Sequence, residues 1–311
     1  MIISASYRTD IPTFYGEWLI RRLRAGFCRT LNPYSRKPTR VGLRSQEVEG
    51  LVLWTKNIGP FRKHLDEVRQ LGHAFVIQHT VNNYPRALET SVVDSIRSIA
   101  FIHEIAEKFG PRVVVWRYDP IVFSDRTPFD FHVTNFAPLA SALRGAVDEV
   151  VVSFAQLYQK TKRNLDAAAA GGEFSWWDPK DAEKRELATQ LVSIAEDNRI
   201  QLSVCSQAAY AVPGSIPSRC VDAARIADVR GTPLRVTTKG NRPDCMCAES
   251  RDIGEYDTCP HGCVYCYAVR DPALAARRFR VHDPDSEFLF APEVAARGER
   301  DEQLSFLRDE E

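Results

Sequence analysis

Arg112-Val113-Val114-Val115-Trp116-Arg117-Tyr118-Asp119-Pro120 carries the decision about fold class. Its first half is a short β-branched run set off by Gly110-Pro111, the mark of a strand. Its second half collects two aromatics and an Arg–Asp pair where such a strand would end. Five more runs have the same character, so strands are predicted over 2–6, 51–55, 74–79, 112–117, 149–154 and 200–205. Longer amphipathic stretches separate them, and helices are predicted over 14–26, 60–71, 87–109, 134–146 and 179–198. Within 87–109, Val92, Val93, Ile96, Ile99, Ala100, Ile102 and Ile105 recur at three- and four-residue spacing, and Gly110-Pro111 stops the run. Asp178-Pro179 is the expected N-cap and first turn of the last helix. Residues 27–44 are rich in Pro, Arg and Asn and are expected as a loop or hairpin insert. Residues from Asp283 onward are expected as a tail or a strap over the core.

Strands alternating with helices imply βα units and a parallel sheet. About six units fit a (β/α) TIM-type barrel, either partial or completed by extra strands such as 234–238. The expected division is a barrel domain over 1–240 and a cysteine-rich segment with its tail over 241–311, packed on the barrel as a lid.

Barrel chemistry belongs at the C-terminal ends of the strands. Those ends carry Arg8 and Asp10, Trp54 and Lys56, His79, then Trp116, Arg117 and Asp119, then Ser153 and Gln156, then Cys205. Arg8 could grip a carboxylate or phosphate and Asp10 could orient it or act as base, or the two could simply pair. Lys56 suits a ligand contact, and a Schiff-base role would require desolvation. Trp116, Arg117, Tyr118 and Asp119 suit a planar or cationic ligand, or an aromatic plug at a strand end. His79 is a possible proton donor or a hydrogen-bonded structural residue. Gly171-Gly172-Glu173 follows an alanine run and is expected to stop a short helix.

Cys259-Pro260-His261-Gly262-Cys263-Val264-Tyr265-Cys266 places three thiols within eight residues, and five of the eight cysteines lie between 245 and 266. Soft thiolates select iron–sulfur clusters or zinc. A structural zinc site takes four ligands, usually as two C-x2-4-C pairs, whereas Cys245 and Cys247 are one residue apart. A [4Fe–4S] cluster on Cys259, Cys263 and Cys266 is therefore expected, with Tyr265 packed beside it. Zinc, or buried inert thiols, are the other outcomes. Cys245 and Cys247 would supply a fourth ligand or belong to a second site. Cys205 and Cys220 could join them there as metal ligands or as a redox pair, and Cys28 has no obvious partner.

The spacing Cys-x3-Cys-x-aromatic-Cys resembles the cluster motif of radical S-adenosylmethionine enzymes. The longer stretch 245–268, with Ser4 to Pro12 and Trp116 to Pro120, is similar to domain-of-unknown-function family 1848. The resemblance implies an enzyme in which an open cluster iron chelates S-adenosylmethionine and a low-potential electron donor drives its cleavage. The substrate would be a small or nucleobase-like molecule at the barrel mouth. Other classes remain open: a fully thiolate-ligated structural or electron-transfer cluster, with Asp10, Asp119 and Lys56 doing hydrolytic or binding work, or a zinc-clipped ligand-binding barrel.

Forty-one basic and 41 acidic residues leave no net charge, against the basic excess that duplex nucleic-acid binding needs. The clusters Arg21-Arg22-Leu23-Arg24, Lys37 with Arg36 and Arg40, and Arg277-Arg278-Phe279-Arg280 are expected as solvated faces. No run approaches the ~18 apolar residues that span a bilayer. The N-terminus lacks a secretory pattern, so a cytoplasmic protein with reduced cysteines is expected.

Overall fold

All six predicted strands form and run parallel in one sheet: β1 Ile2–Ala5, β2 Gly50–Thr55, β3 Phe75–Thr80, β4 Val114–Ile121, β5 Glu149–Phe154 and β6 Gln201–Val204. The computed structural model describes residues 1–290 apart from 33, 34, 36 and 241. Two very short strands, β7 Ile216–Pro217 and β8 Ser250–Asp252, extend the sheet at its edges. The order is β7-β6-β5-β4-β3-β2-β1-β8, so each strand lies beside its chain neighbour until the last returns beside the first. That is the cyclic order a barrel uses, yet the sheet is not closed. Among the described residues no ladder joins β7 to β8. The predicted strand 234–238 does not form, and its end makes only an isolated bridge from Thr238 to Ala248.

Eight helices of more than four residues accompany these strands among the described residues: α1 Gly16–Ala25, α2 Leu65–Gln70, α3 Ser95–Phe109, α4 Phe129–Leu143, α5 Gln159–Ala169, α6 Asp181–Asp197, α7 Ala223–Arg230 and α8 Pro272–Arg280. The predicted start of α3 at 87 was too early. Asp94 accepts a hydrogen bond from the Ile96 N–H (2.8 Å) and caps the helix there. Residues 87–94 form a loop that buries Leu88 and Glu89 at the strand ends. The predicted cap of α6 also moves, because Asp178 pairs with Lys184 (2.7 Å) and Lys180 takes the cap position. The 27–44 insert folds as a hairpin, Phe27–Leu31 against Pro38–Gly42. Residues 283–290 strap over it: the Arg29 N–H donates to the Glu287 carbonyl, and the Trp18 indole donates to the Ser286 carbonyl. The rest of the expected tail, and Arg36 of one basic cluster, lie outside the described residues.

Side chains alternate across each strand, and the two faces have different jobs. Ile3, Leu53, Ile77, Trp116, Val152 and Leu202 pack outward with Trp18, Ile102, Phe136 and Leu191 of the helices. Each fully buried side chain of this kind contributes about 1.5–3 kcal/mol. On the other face Ile2, Val52, Val76, Val115 and Val151 meet Cys205, Cys220, Val221, Ile226 and Cys247. Farther along the strands this face turns polar, with Ser4, Trp54, Gln78 and Arg117 leading to the C-terminal edge. No helix among the described residues is long and apolar enough to cross a membrane.

Candidate functional site

The cysteine motif is held at the C-terminal edge of the sheet by backbone and buried side chains. The Val264 N–H donates to the Leu88 carbonyl (3.1 Å), and the Ser91 N–H donates to the His261 carbonyl (2.9 Å). Gly262 has a φ of +73°, a region that costs L-residues strain, and Thr90 lies 3.0 Å from where a Cβ would stand. Tyr15 donates its hydroxyl to the Thr258 carbonyl (2.5 Å), and Tyr267 to the Tyr7 carbonyl (2.5 Å). From the far side Asn164 of α5 donates to the Cys266 and Val269 carbonyls.

The three motif thiols occupy one neighbourhood. Burial pushes Cys259 well up, and the Asp10 carboxylate and the other two thiols add to it. Burial also raises Cys263, although Lys56 opposes the rise. Burial raises Cys266 against the N–H groups of Ala268 and Val269, which favour its thiolate. Thiols in such a place ionise only with a compensating cation.

The predicted rim residues are present, but their partners are not those expected. Arg8 and Asp10 do not pair. Asp10 is buried and accepts from the Thr13 N–H (2.9 Å), the Lys56 N–H (2.7 Å) and His261 Nε2 (2.8 Å). Burial alone would raise its carboxyl, yet these donors, led by His261, hold it below the usual range. Arg8 stands over the rings of Tyr7 and Tyr256, with Nε 3.8 Å from Asp252. Asp252 ends β8 and accepts from Ser4 (2.8 Å), Ser6 (2.7 Å) and the Gly254 N–H (3.0 Å). Gly254 is required there, because a Cβ would lie 2.0 Å from the Ser6 hydroxyl.

Lys56 donates to Glu89 (2.7 Å) and to the Tyr265 hydroxyl (3.0 Å). Burial works against its charge, but Glu89 and then Cys263 favour the ammonium and raise its pKa, the opposite of the lowering that a Schiff-base lysine requires. Tyr265 itself is anchored on Glu89 and rests edge-on against Tyr84. Arg117 grips Asp119 with two bonds (2.9 and 2.6 Å) and donates to Gln78 (3.0 Å) and to Cys220 Sγ (3.1 Å). Ser153 donates to Asp119 as well (3.1 Å). Trp116, by contrast, is completely buried, stacks on Phe136 (4.7 Å) and donates to the Val81 carbonyl, so it belongs to the helix-facing core. Tyr118 is likewise internal, on His132 and Asn135.

The second set of cysteines lies on the inner face of the sheet, packed with Ile2, Val52, Val76, Val115 and Val151. Cys205 and Cys220 sulfurs are 3.4 Å apart, the Val221 N–H donates to Cys247 Sγ (3.4 Å), and Arg242 donates to Cys205 Sγ (3.5 Å). None of the eight cysteines is in a disulfide. Among the described residues, no three His, Cys, Asp or Glu side chains already stand as a ready ion-binding group. One tetrahedral zinc would need its sulfurs about 4 Å apart, given Zn–S bonds near 2.3 Å. Three thiols on one loop are a donor set of the kind that iron–sulfur clusters take.

Several buried polar atoms around the motif lack a protein partner: Thr9 Oγ1, both ring nitrogens of His79, Asn82 Oδ1 and His261 Nδ1. Asn82 and Glu89 also line a cavity of about 110 Å³ with Thr80, Arg86 and Ser95. His261, Glu89, Asn82 and Asp252 were missed in the sequence. His261 was visible inside the motif itself; the other three are ordinary polar residues whose importance is set by what folds against them.

With that geometry in place, the comparison is unambiguous: the family described as Domain of unknown function (DUF1848) matches residues 2–268. The chain belongs to that family. No curated protein matches it. The match takes in the strand ends, both cysteine sets and the motif loop, so this DUF1848 chain carries its candidate site inside the family's shared region.

Proposed function

We propose that this DUF1848 protein is a radical S-adenosylmethionine-like iron–sulfur enzyme, with Cys259, Cys263 and Cys266 as the ligands of a [4Fe–4S] cluster. The observation that carries the proposal is the placement of three mutually interacting thiols on one clamped loop at the C-terminal edge of a parallel sheet. N–H groups of Ala268 and Val269 directed at Cys266 are the kind of donor that stabilises cluster sulfurs. When bound, such a cluster supplies the electron that breaks the sulfonium of S-adenosylmethionine.

The chain's own groups have positioning roles. Asp10 fixes His261 and the Lys56 backbone, and so the motif's approach to β2. Arg8 presents positive charge toward the mouth, suited to a carboxylate or phosphate. The cyclic strand order supports a barrel opened at the seam between β7 and β8, with the substrate, a small or nucleobase-like molecule, entering at the mouth. A low-potential electron donor would be required. The hydrolytic alternative is less well supported, since Asp10 and Asp119 are saturated by donors and Lys56 is locked on Glu89. Cys247 lies against Cys220 and the Val221 N–H, which favours leaving the fourth iron open.

Anaerobic purification with iron and sulfide analysis tests the cluster, and electron paramagnetic resonance with added S-adenosylmethionine tests the open iron. A perturbed signal and slow release of 5′-deoxyadenosine under dithionite are expected. A zinc protein without iron would overturn the cluster, and an iron protein whose signal ignores the cofactor would overturn the radical chemistry alone.

A further inference from the structure

We propose that Cys205, Cys220, Cys245 and Cys247 form a second metal site, for one thiophilic divalent ion of the zinc class, distinct from the motif loop. The four come from three chain segments. Cys205 follows β6, Cys220 follows β7, and Cys245 and Cys247 precede β8. Cys205, Cys220 and Cys247 belong to the inner-face cluster of the sheet, and Cys245 packs against that cluster. The 3.4 Å between the Cys205 and Cys220 sulfurs suits neighbours around a single tetrahedral ion, whose ligands stand about 4 Å apart, and is too close for the corners of a cubane.

The hydrogen bonds state what charge these sulfurs are built to carry. A guanidinium can only donate, and two are aimed at different sulfurs: Arg117 at Cys220 (3.1 Å) and Arg242 at Cys205 (3.5 Å). A backbone N–H addresses the third, Cys247 (3.4 Å). An S–H can donate across the 3.4 Å between Cys205 and Cys220. A divalent cation that takes the place of the thiol protons would turn the sulfurs into thiolates and leave a net negative centre, which Arg117 and Arg242 are placed to neutralise. A disulfide between Cys205 and Cys220 would instead leave the guanidinium groups facing poor acceptors, so the redox-pair alternative suits this environment less well.

The four side chains do not yet surround a common point, so binding draws the sulfurs inward by rotation of the cysteine side chains. The place has structural sense. β7 and β8 are the unpaired edges of the open sheet, and the cysteines flank both. An ion here ties β6, β7 and the approach to β8 across the seam that no ladder closes.

The test is made on the full chain, stripped of metal and titrated anaerobically with Zn²⁺, with alkylation of thiols mapped by mass spectrometry. One zinc per chain should shield Cys205, Cys220, Cys245 and Cys247 while Cys259, Cys263 and Cys266 react. Co²⁺ should give the intense visible bands of tetrahedral thiolate coordination, lost in Cys220→Ser and Cys247→Ser and kept in Cys263→Ala. Should those serine variants fail to fold, Arg242→Ala, an exposed residue, should still weaken Zn²⁺ binding about ten-fold or more. Alkylation of the four thiols at the metal-free rate overturns the proposal. So does shielding of the motif thiols in their place, or the recovery of iron and sulfide on the four cysteines.

Discussion

The two cysteine groups of this chain are built in opposite ways. The motif loop gathers three thiols within eight residues, and its supporting donors come mostly from its own turn and the adjoining 88–91 loop. The second group draws four thiols from segments as far apart as Cys205 and Cys247, and its donors are long cationic side chains from elsewhere. Local spacing therefore prescribes the first group before any fold exists, while the second exists only once β6, β7 and the segment leading into β8 are brought together. On these grounds the first is the candidate for a cluster that must bind and react, and the second for an ion that staples.

The sharpest way to break that distinction is to remove one ligand. Cys259→Ala, Cys263→Ala and Cys266→Ala should each abolish iron loading and the absorbance near 400 nm, while leaving zinc on the other four thiols. Near-normal iron in any of them removes that residue from the motif site. Iron and zinc lost together would mean one shared centre.

A smaller effect compares the cations that serve each group. Lys56→Met strands the buried Glu89 beside the motif, and Arg117→Met strands Asp119 beside the second group. Breaking a buried pair from one side costs about 3–5 kcal/mol, and denaturant unfolding in the presence of chelator should show it for both. Only Arg117→Met should also weaken Zn²⁺ binding. Equal loss of zinc in Lys56→Met would erase the difference between the two regions.

The smallest expected effect is on pH dependence. Burial depresses His79, near the motif, and His132, in the helix-facing core, to about 4. Because these folded values lie below the ordinary 6.5, the unfolded chain takes up protons first. Stability complete above about pH 6.5 is lost as pH falls toward 4, by about 2 kcal/mol per histidine between pH 7 and 5. His132→Gln should remove about 2 kcal/mol of the loss seen in denaturant unfolding between those two pH values. An unchanged slope would show that His132 is not the acid-sensitive group.

Much of the fold was legible because each main strand is a compact β-branched run and each long helix an apolar stripe. β7 and β8 were not, since Ile216–Pro217 and Ser250–Asp252 are too short to carry any period and are strands only because β6 and β1 offer them free edges. β8 also falls beyond residue 240, where the barrel domain was expected to end. The start of α3 misled for a related reason. Val92 and Val93 continue the helical spacing by chance, but Asp94 caps the helix after them, and the displaced loop brings Glu89 to Lys56 and Tyr265. Trp116 shows the same limit at a single residue: one position along the strand decides whether an aromatic meets a ligand or the core, and alternation put Trp116 on Phe136 and Arg117 at the mouth.

By itself the sequence determined the α/β class, the six main strands and the three-thiol motif, because hydrophobic period and close ligand spacing are local properties of the chain. Only the tertiary structure decided that the sheet stays open between β7 and β8, that Arg8 and Asp10 part company, and that Cys205, Cys220 and Cys247 share one inner-face cluster with Cys245 packed against it. Each of these depends on which groups from distant segments share one buried volume, where unpaired charges and donors must find partners, and that is a property of packing rather than of order along the chain.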